Sequence, residues 1–364
     1  MLQQAKKISP EITIVDGSWA GSALRDMLVT RGAVIIKGET NGDPVLDFAC
    51  STDAGLSMDP RRLECRYLYD TQGSALFDLI TEQPEYYLTR TETNILAANA
   101  CRIREITGPA ALVELGSGYS VKTDYLLRAW LSCAPSVNYI PVDVSEAALC
   151  EACRAIRNVH LAARVIGVHG DYREAFPVIR ELSPVVVVFL GSTIGNFEPE
   201  DEYRFLAELA SSLREGDFFL LGIDLVKEQS IIEPAYNDAA GVTADFTRNL
   251  FARMNRELGS NVDLSTIEHI ACYNSLREQV DIHARFSREQ TIHIGPLGKN
   301  FSLARGEMIQ TEISRKYCLD EYIPYLQGFG FEIEEIFTDE RNWFALILMK
   351  RTGSLSRSPE WRMQ

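Results

Sequence analysis

Three short stretches end apolar runs in residues able to hold a ligand. "VELGSGYSVKT" (113–123) leads into Gly116 and Gly118, where a bare backbone can approach a bound molecule closely. "PVDVS" (141–145) places Asp143 after a second run, where a carboxylate suits bidentate bonding to a ribose diol. "GDY" (170–172) closes a third, with Asp171 suited to an adenine amino group and Tyr172 to the flank of the ring. A fourth stretch, "VVVVFLGSTIGNF" (185–197), passes from a run fit for burial on both faces into small polar residues and Asn196. Further on, Glu312 and Ser314 in "TEIS" stand two apart in an alternating run and so share a face.

Each feature has a purely structural alternative. Asp143 can be the N-cap of a following helix, a place Ser145 fills as well. Asp171 and Tyr172 can form a surface turn, "EYY" (85–87) a core cluster, and Glu312 with Ser314 a solvated strand face. What sets the first three apart is that each lies at the carboxyl end of its own successive strand, where open α/β sheets bind ligands. Both NAD and S-adenosylmethionine carry the diol that Asp143 suits. A dinucleotide loop prefers G-x-G-x-x-G, and here Val121 takes the third glycine's place. No Tyr-x-x-x-Lys proton relay follows the strands, so a nicotinamide dehydrogenase is the weaker reading.

The elements that must position these residues alternate along the chain. Strands are expected at 110–118, 137–145, 163–172, 185–196 and 217–225, with helices at 122–134, 145–159 and 198–216 between them. This βαβα order predicts an α/β fold with a doubly wound, mostly parallel Rossmann-like sheet. Helical patterning at 69–106 is interrupted at Pro84, and "AVIIKG" (33–38) reads as an added strand. The alternation stops at 228–318, where one long helix (235–259) precedes β-like segments. A helix (319–330) and two strands (331–339, 343–351) close the chain as a hairpin beside the sheet. The expected organisation is an N-terminal extension (1–60), a smaller α+β substrate unit (61–100 and 228–318), a cofactor unit (101–227 and 319–351) and a tail (352–364).

Composition bounds the function. The chain has 364 residues, 46% hydrophobic and 24% charged, as soluble globular proteins do. A net charge of −15, from 51 acids against 36 Lys and Arg, argues against a nucleic-acid partner. No apolar run approaches the roughly 18–20 residues that span a membrane, and the first residues lack a secretory apolar stretch, so a cytoplasmic, non-membrane protein is expected. Cys150 and Cys153 read as two thiols packed on one helix, and the five histidines show no ligand spacing, so no metal is expected.

Taken together, "YDTQGSALFDLITEQPEYYLTRTE", "ELGSGYSVKT", "FLGSTIGNF", "AYNDAAGVTADFTRNL" and "TEISRKY" resemble the histidine Nα-methyltransferases of ergothioneine biosynthesis. Those enzymes use S-adenosylmethionine to convert histidine to its trimethylbetaine, hercynine. The resemblance runs through roughly residues 60–350 in unbroken order. It implies that Gly116, Gly118, Lys122, Asp143, Asp171 and Tyr172 line the S-adenosylmethionine site. It implies further that Tyr86 and Tyr236 hold the substrate carboxylate and Asn196 meets the α-amine. Tyr69, Glu312 and Ser314 then surround the imidazole. For the amine proton two routes stay open: transfer to Tyr69, and loss to water before binding. Ile282 falls on a pocket position where the family leads one to expect methionine. The extra N-terminal residues offer a means of oligomerisation. Relatives acting on tryptophan-derived amines leave open another amino acid, tryptophan- or arginine-like, as the acceptor.

Overall fold

The computed structural model describes residues 12–16, 33–37 and 43–353. Strands β1 (Ile12–Asp16) and β2 (Ala33–Lys37) precede helices α1 (Pro44–Leu56), α2 (Thr71–Glu82) and α3 (Tyr87–Thr107). The alternating part follows: β3 (Ala111–Leu115), α4 (Thr123–Cys133), β4 (Val137–Asp143), α5 (Glu146–Val159), β5 (Ala163–His169) and α6 (Tyr172–Glu181). It continues through β6 (Val185–Phe189), α7 (Pro199–Ser212) and β7 (Phe218–Asp224). Then come α8 (Gln229–Ala235), α9 (Val242–Glu257), β8 (Ile267–Asn274), β9 (Gln279–Phe286), β10 (Gln290–Ile294), β11 (Lys299–Leu303) and β12 (Met308–Arg315). Helix α10 (Leu319–Gly328) and strands β13 (Phe331–Thr338) and β14 (Phe344–Arg351) end the described chain.

Nine strands form one sheet in the order β1-β2-β5-β4-β3-β6-β7-β14-β13. All pairings from β1 to β7 are parallel, and β14 joins β7 antiparallel, as the final hairpin led us to expect. The valine run of β6 shows why that stretch is apolar throughout. Val185, Val187 and Phe189 enter the core under α6, α7 and α10, while Val186 and Val188 enter the core under α3, α4 and α5. A strand covered on both faces has no solvated side on which polar residues would be favoured. The order of connection reverses between β3 and β6, and an open crevice forms at such a switch point.

A second core lies beyond the carboxyl ends of the strands. It gathers Phe48 and Leu56 of α1, Tyr67, Phe246 and Phe251 of α9, and Ile282, Phe286 and Ile309 of the three-stranded sheet β12-β9-β8. Helix α3 ties the two units together, with Tyr87 and Leu88 in the second core and Ile95, Leu96 and Ile103 under the main sheet.

Two expectations change here. The segment 1–60 does not stand apart as an extension where it is described: β1 and β2 lengthen the main sheet, and α1 sits in the second core. The remainder of that segment, on which the oligomerisation reading rests, and residues 354–364 of the tail lie outside the described residues. The single helix expected at 235–259 is two. Between α8 and α9 the chain turns through residues 236–241, and the Asp238 carboxylate accepts the N–H groups of Val242 and Thr243 at 2.7 and 2.8 Å. Asn-Asp followed by Gly241, at φ +78, is turn and capping chemistry lying inside an otherwise helical pattern. No helix among the described residues is long and apolar enough to cross a membrane.

Candidate active site

The crevice at the carboxyl ends of β3, β4 and β6 is closed over by the second core to form a cavity of about 2590 Å³. Pockets for a single drug-sized ligand measure roughly 300–1,000 Å³, so this space is large enough for a nucleoside cofactor and a small substrate side by side. Tyr69, Tyr86, Gly116, Gly118, Lys122, Asp143, Asp171, Tyr172, Asn196, Tyr236, Glu312 and Ser314 all line it. Ile282 does not: on the central strand of its sheet it is 2% exposed and packed in the second core. Its influence on any ligand is exerted through its neighbours.

The glycine loop and Asp143 form one half. Gly116 and Gly118 take φ of +67° and +49°, a region that side chains disfavour, and a Cβ at Gly116 would lie 3.6 Å from the Tyr172 ring. The Asp143 carboxylate accepts the N–H of Gly118 at 2.7 Å and of Ser145 at 2.8 Å, each through a different oxygen. Ser145 is the N-cap of α5, accepting from Ala148, so Asp143 is released from that role. Each Asp143 oxygen retains a lone pair for a diol. Ser117 Oγ is buried in this loop without a hydrogen-bond partner and lines the cavity. Such an atom fits a site built around a polar ligand. Asp171 caps α6, accepting from the N–H of Arg173 at 2.8 Å, so the capping alternative holds for it while its side chain still faces the cavity. Tyr172 packs on Phe189, Phe197 and Phe205, with centroids 5.0 to 5.9 Å apart, and forms a flat wall. These residues fit S-adenosylmethionine: a backbone loop, a diol acceptor and an aromatic flank on successive strand ends.

The other half is assembled across the two units. After β6 the chain turns through Ser192, at φ +55, into a single 3₁₀ turn, Thr193–Asn196. Ser192 Oγ accepts the N–H of Asp224 at 2.9 Å, tying this turn to β7. A Cβ on Gly195 would stand 2.9 Å from the Arg315 carbonyl oxygen, so only glycine lets the turn lie directly on β12. That approach brings Asn196 Nδ2 within 3.0 Å of Glu312 Oε1, to which it donates. With Nδ2 committed, Oδ1 is left as an acceptor. Ser314 Oγ lies 2.8 Å from Tyr236 Oη, and Tyr86 meets Tyr236 edge to face with centroids 6.3 Å apart. Tyr69 rests edge-on against Phe77 and Phe246.

Burial sets the protonation states. It raises the phenols of Tyr69, Tyr86 and Tyr236 well above their usual range, so each enters as a hydrogen-bond donor. For Tyr69 this disfavours the proton-accepting role proposed from the resemblance. Burial also pushes the Glu312 carboxyl up to about 7, opposed by Lys316 and by the Asn196 hydrogen bond. Its value before burial is 4.5, so the folded state holds the proton in the intervening window and ionisation costs stability as pH rises through it. Glu312→Gln escapes that cost. Urea unfolding at pH 5 and pH 8 should therefore show the variant gaining on the wild type, by at most about 3 kcal/mol. A difference that does not move with pH would place Glu312 at the ordinary carboxylate value.

Two buried groups carry no obvious signal in the sequence. Glu92 of α3, 0% exposed, accepts the Gly191 N–H at 2.7 Å and pairs with Lys122, so one carboxylate joins the segment after the glycine loop to the Asn196 turn. Gly222 on β7 makes room for it, since a Cβ there would fall 2.2 Å from Glu92 Oε1. Asp224, at the end of β7, is likewise 0% exposed and pairs with Lys316 at 2.9 Å and Lys227 at 2.6 Å. Lys316 had a faint signal, because the alternation that aligns Glu312 with Ser314 continues to it. Glu92 had none, being one acid among several polar residues of a helix.

The chain also resembles known proteins in sequence. A family model described as histidine-specific, S-adenosylmethionine-dependent methyltransferase matches residues 48–351. The histidine N-alpha-methyltransferase of Mycolicibacterium smegmatis is 40% identical over 298 residues, covering 82% of this chain and 93% of that protein. Its counterpart in Mycobacterium tuberculosis is 38% identical, over 81% and 92% of the two chains. Among solved structures, an S-adenosylmethionine-dependent methyltransferase of Clostridium acetobutylicum aligns with 76% of this chain and 98% of its own, at 15% identity and a TM-score of 0.42.

Proposed function

Because the chain belongs to the family of histidine-specific, S-adenosylmethionine-dependent methyltransferases, we propose that it methylates the α-amine of free L-histidine to give hercynine. The observation that carries this reading is the hydrogen bond between Asn196 and Glu312, one from each unit, inside a cavity that also contains the glycine loop and Asp143.

S-adenosylmethionine supplies an electrophilic methyl group on a sulfonium, and a neutral amine lone pair must meet it in line. The task of the protein is therefore positioning, which by itself accounts for several kcal/mol of a barrier. Asp143 and the backbone at Gly116 and Gly118 hold the nucleoside, and Tyr172 flanks its ring. Tyr86 and Tyr236 donate to the substrate carboxylate without adding charge. Asn196 Oδ1 accepts from the amine without a carboxylate's preference for ammonium, and Glu312 accepts from the imidazole N–H. With the three phenols held protonated by burial, none of them takes the amine proton at neutral pH.

The deciding test is incubation with S-adenosylmethionine and a pool of the common amino acids, read by mass spectrometry. Trimethylated histidine is expected. Methylation confined to another amino acid would overturn the substrate and leave the chemistry standing. In the same assay Glu312→Ala should raise the histidine KM about 10- to 100-fold, the loss of a charge-assisted hydrogen bond. Cofactor binding by that variant should change less than about threefold, and equal losses would count against the imidazole role.

A further inference from the structure

Lys316 is 0% exposed at its side chain and lies just behind the cavity wall. Its ammonium donates to Tyr236 Oη and to Ser314 Oγ, both at 2.8 Å, and pairs with Asp224. Asp224 is shared with Lys227, whose ammonium also donates to Tyr87 Oη at 2.9 Å. Two ammonium groups thus share one bonded carboxylate in the interior, with Asp339 acting on Lys227 from farther off, so positive charge is in excess at the Lys316 end. An uncompensated charge removed from water is strongly unfavourable, so the cluster favours a ligand that brings a negative charge to it.

The cations that line the cavity itself do not offer this. Arg62, Arg66, Lys122, Arg173 and Arg204 are each within ion-pair distance of an acidic side chain. Glu312 also feels Lys316, but its bonded partner is Asn196, and near neutral pH it is only partly ionised. The hydroxyl geometry points the same way. Lys316 donates to both oxygens, so at most one hydroxyl proton is used in the Tyr236–Ser314 contact. The other is left to donate out of the triangle, and both residues face the cavity.

We propose that Lys316 is a specificity-determining positioning residue: acting through Tyr236, whose hydroxyl it and Ser314 orient, it makes the substrate end of the cavity select a free carboxylate over an amide, ester or decarboxylated amine. This rests on the reading that a free amino acid is the substrate. Lys316→Met leaves Asp224 paired with Lys227, so the buried carboxylate is not orphaned, and removes the excess charge together with the donors to Tyr236 and Ser314.

The test is calorimetric titration of L-histidine and L-histidinamide into enzyme saturated with S-adenosylhomocysteine. Wild type should bind histidine at least about tenfold more tightly than the amide, the range expected of a hydrogen bond to a charged group. In Lys316→Met that ratio should fall to within about threefold, through weaker histidine binding alone, with S-adenosylhomocysteine affinity unchanged within about twofold. Lys316→Gln, which keeps a donor but no charge, should show the same collapse. Wild type that binds both ligands alike, or variants that lose both equally, would overturn the proposal. Failure of wild type to bind histidine at all would instead remove the substrate reading beneath it.

Discussion

Asn196→Ala is expected to lower kcat/KM for histidine about 10²- to 10³-fold while leaving S-adenosylmethionine affinity within about twofold. Displacing a reacting group by about 1 Å costs on the order of 10²-fold where positioning is the main source of catalysis, and alanine deletes the acceptor proposed to aim the amine. The turn itself should survive. Its anchors are the Ser192 hydroxyl on the Asp224 N–H and the packing of Gly195 on Arg315, neither of which uses the asparagine side chain. Asn196→Asp separates holding the amine from presenting it. Aspartate also loses the N–H that Glu312 accepts, so one of the two carboxyls stays protonated and the other stabilises ammonium; substrate binding should persist while turnover falls and the pH optimum moves upward. Single-turnover rates alongside S-adenosylhomocysteine binding check both variants. A parallel loss of cofactor affinity in Asn196→Ala would place this residue on the wrong side of the cavity.

Asp143→Ala should have the complementary effect, weakening S-adenosylmethionine binding by about 10²- to 10⁴-fold. A diol donating to both carboxylate oxygens makes two hydrogen bonds to a charged group, each worth about 1.5–3 kcal/mol. The substitution also frees the Gly118 N–H, which the carboxylate holds at 2.7 Å, and so loosens the loop that approaches the ligand. At saturating cofactor the histidine KM should stay within about threefold of wild type, because Asn196, Glu312 and Tyr236 are held by other elements. Calorimetry with S-adenosylhomocysteine and initial rates at high cofactor concentration test this. Unchanged cofactor affinity would remove Asp143 from the diol site.

Much of this was readable locally. A run buried on both faces requires apolar residues at every position, so β6 announced itself, and with it the turn that carries Asn196. Glycines followed by a helix, and an aspartate after each of the next two strands, marked the cofactor half. Those signals depend on residues adjacent in sequence. The break between α8 and α9 was also written locally, in Asn237, Asp238 and Gly241, but a strong helical period on the C-terminal side masked it. The position of Ile282 was not readable. Whether a residue on a central strand faces a cavity or a core depends on what packs against the sheet, here α9.

The sequence by itself determined the parallel sheet, its antiparallel closing hairpin, the loop and carboxylate suited to a nucleoside, and the membership of Glu312 and Ser314 in one strand face. These follow from periodicities of two and 3.6 and from the conformational freedom of glycine. Only the tertiary structure decided how the substrate half is made. Seating Gly195 on the backbone of Arg315 joins Asn196 to Glu312 across 116 residues of chain. Burying Glu92 links Lys122 to the Asn196 turn, and burying Asp224 between two lysines places an unbalanced charge behind Tyr236. The physical reason is the same in each case. A charge or a close backbone contact acquires its strength from the water excluded around it, and that exclusion exists only once distant segments have packed together.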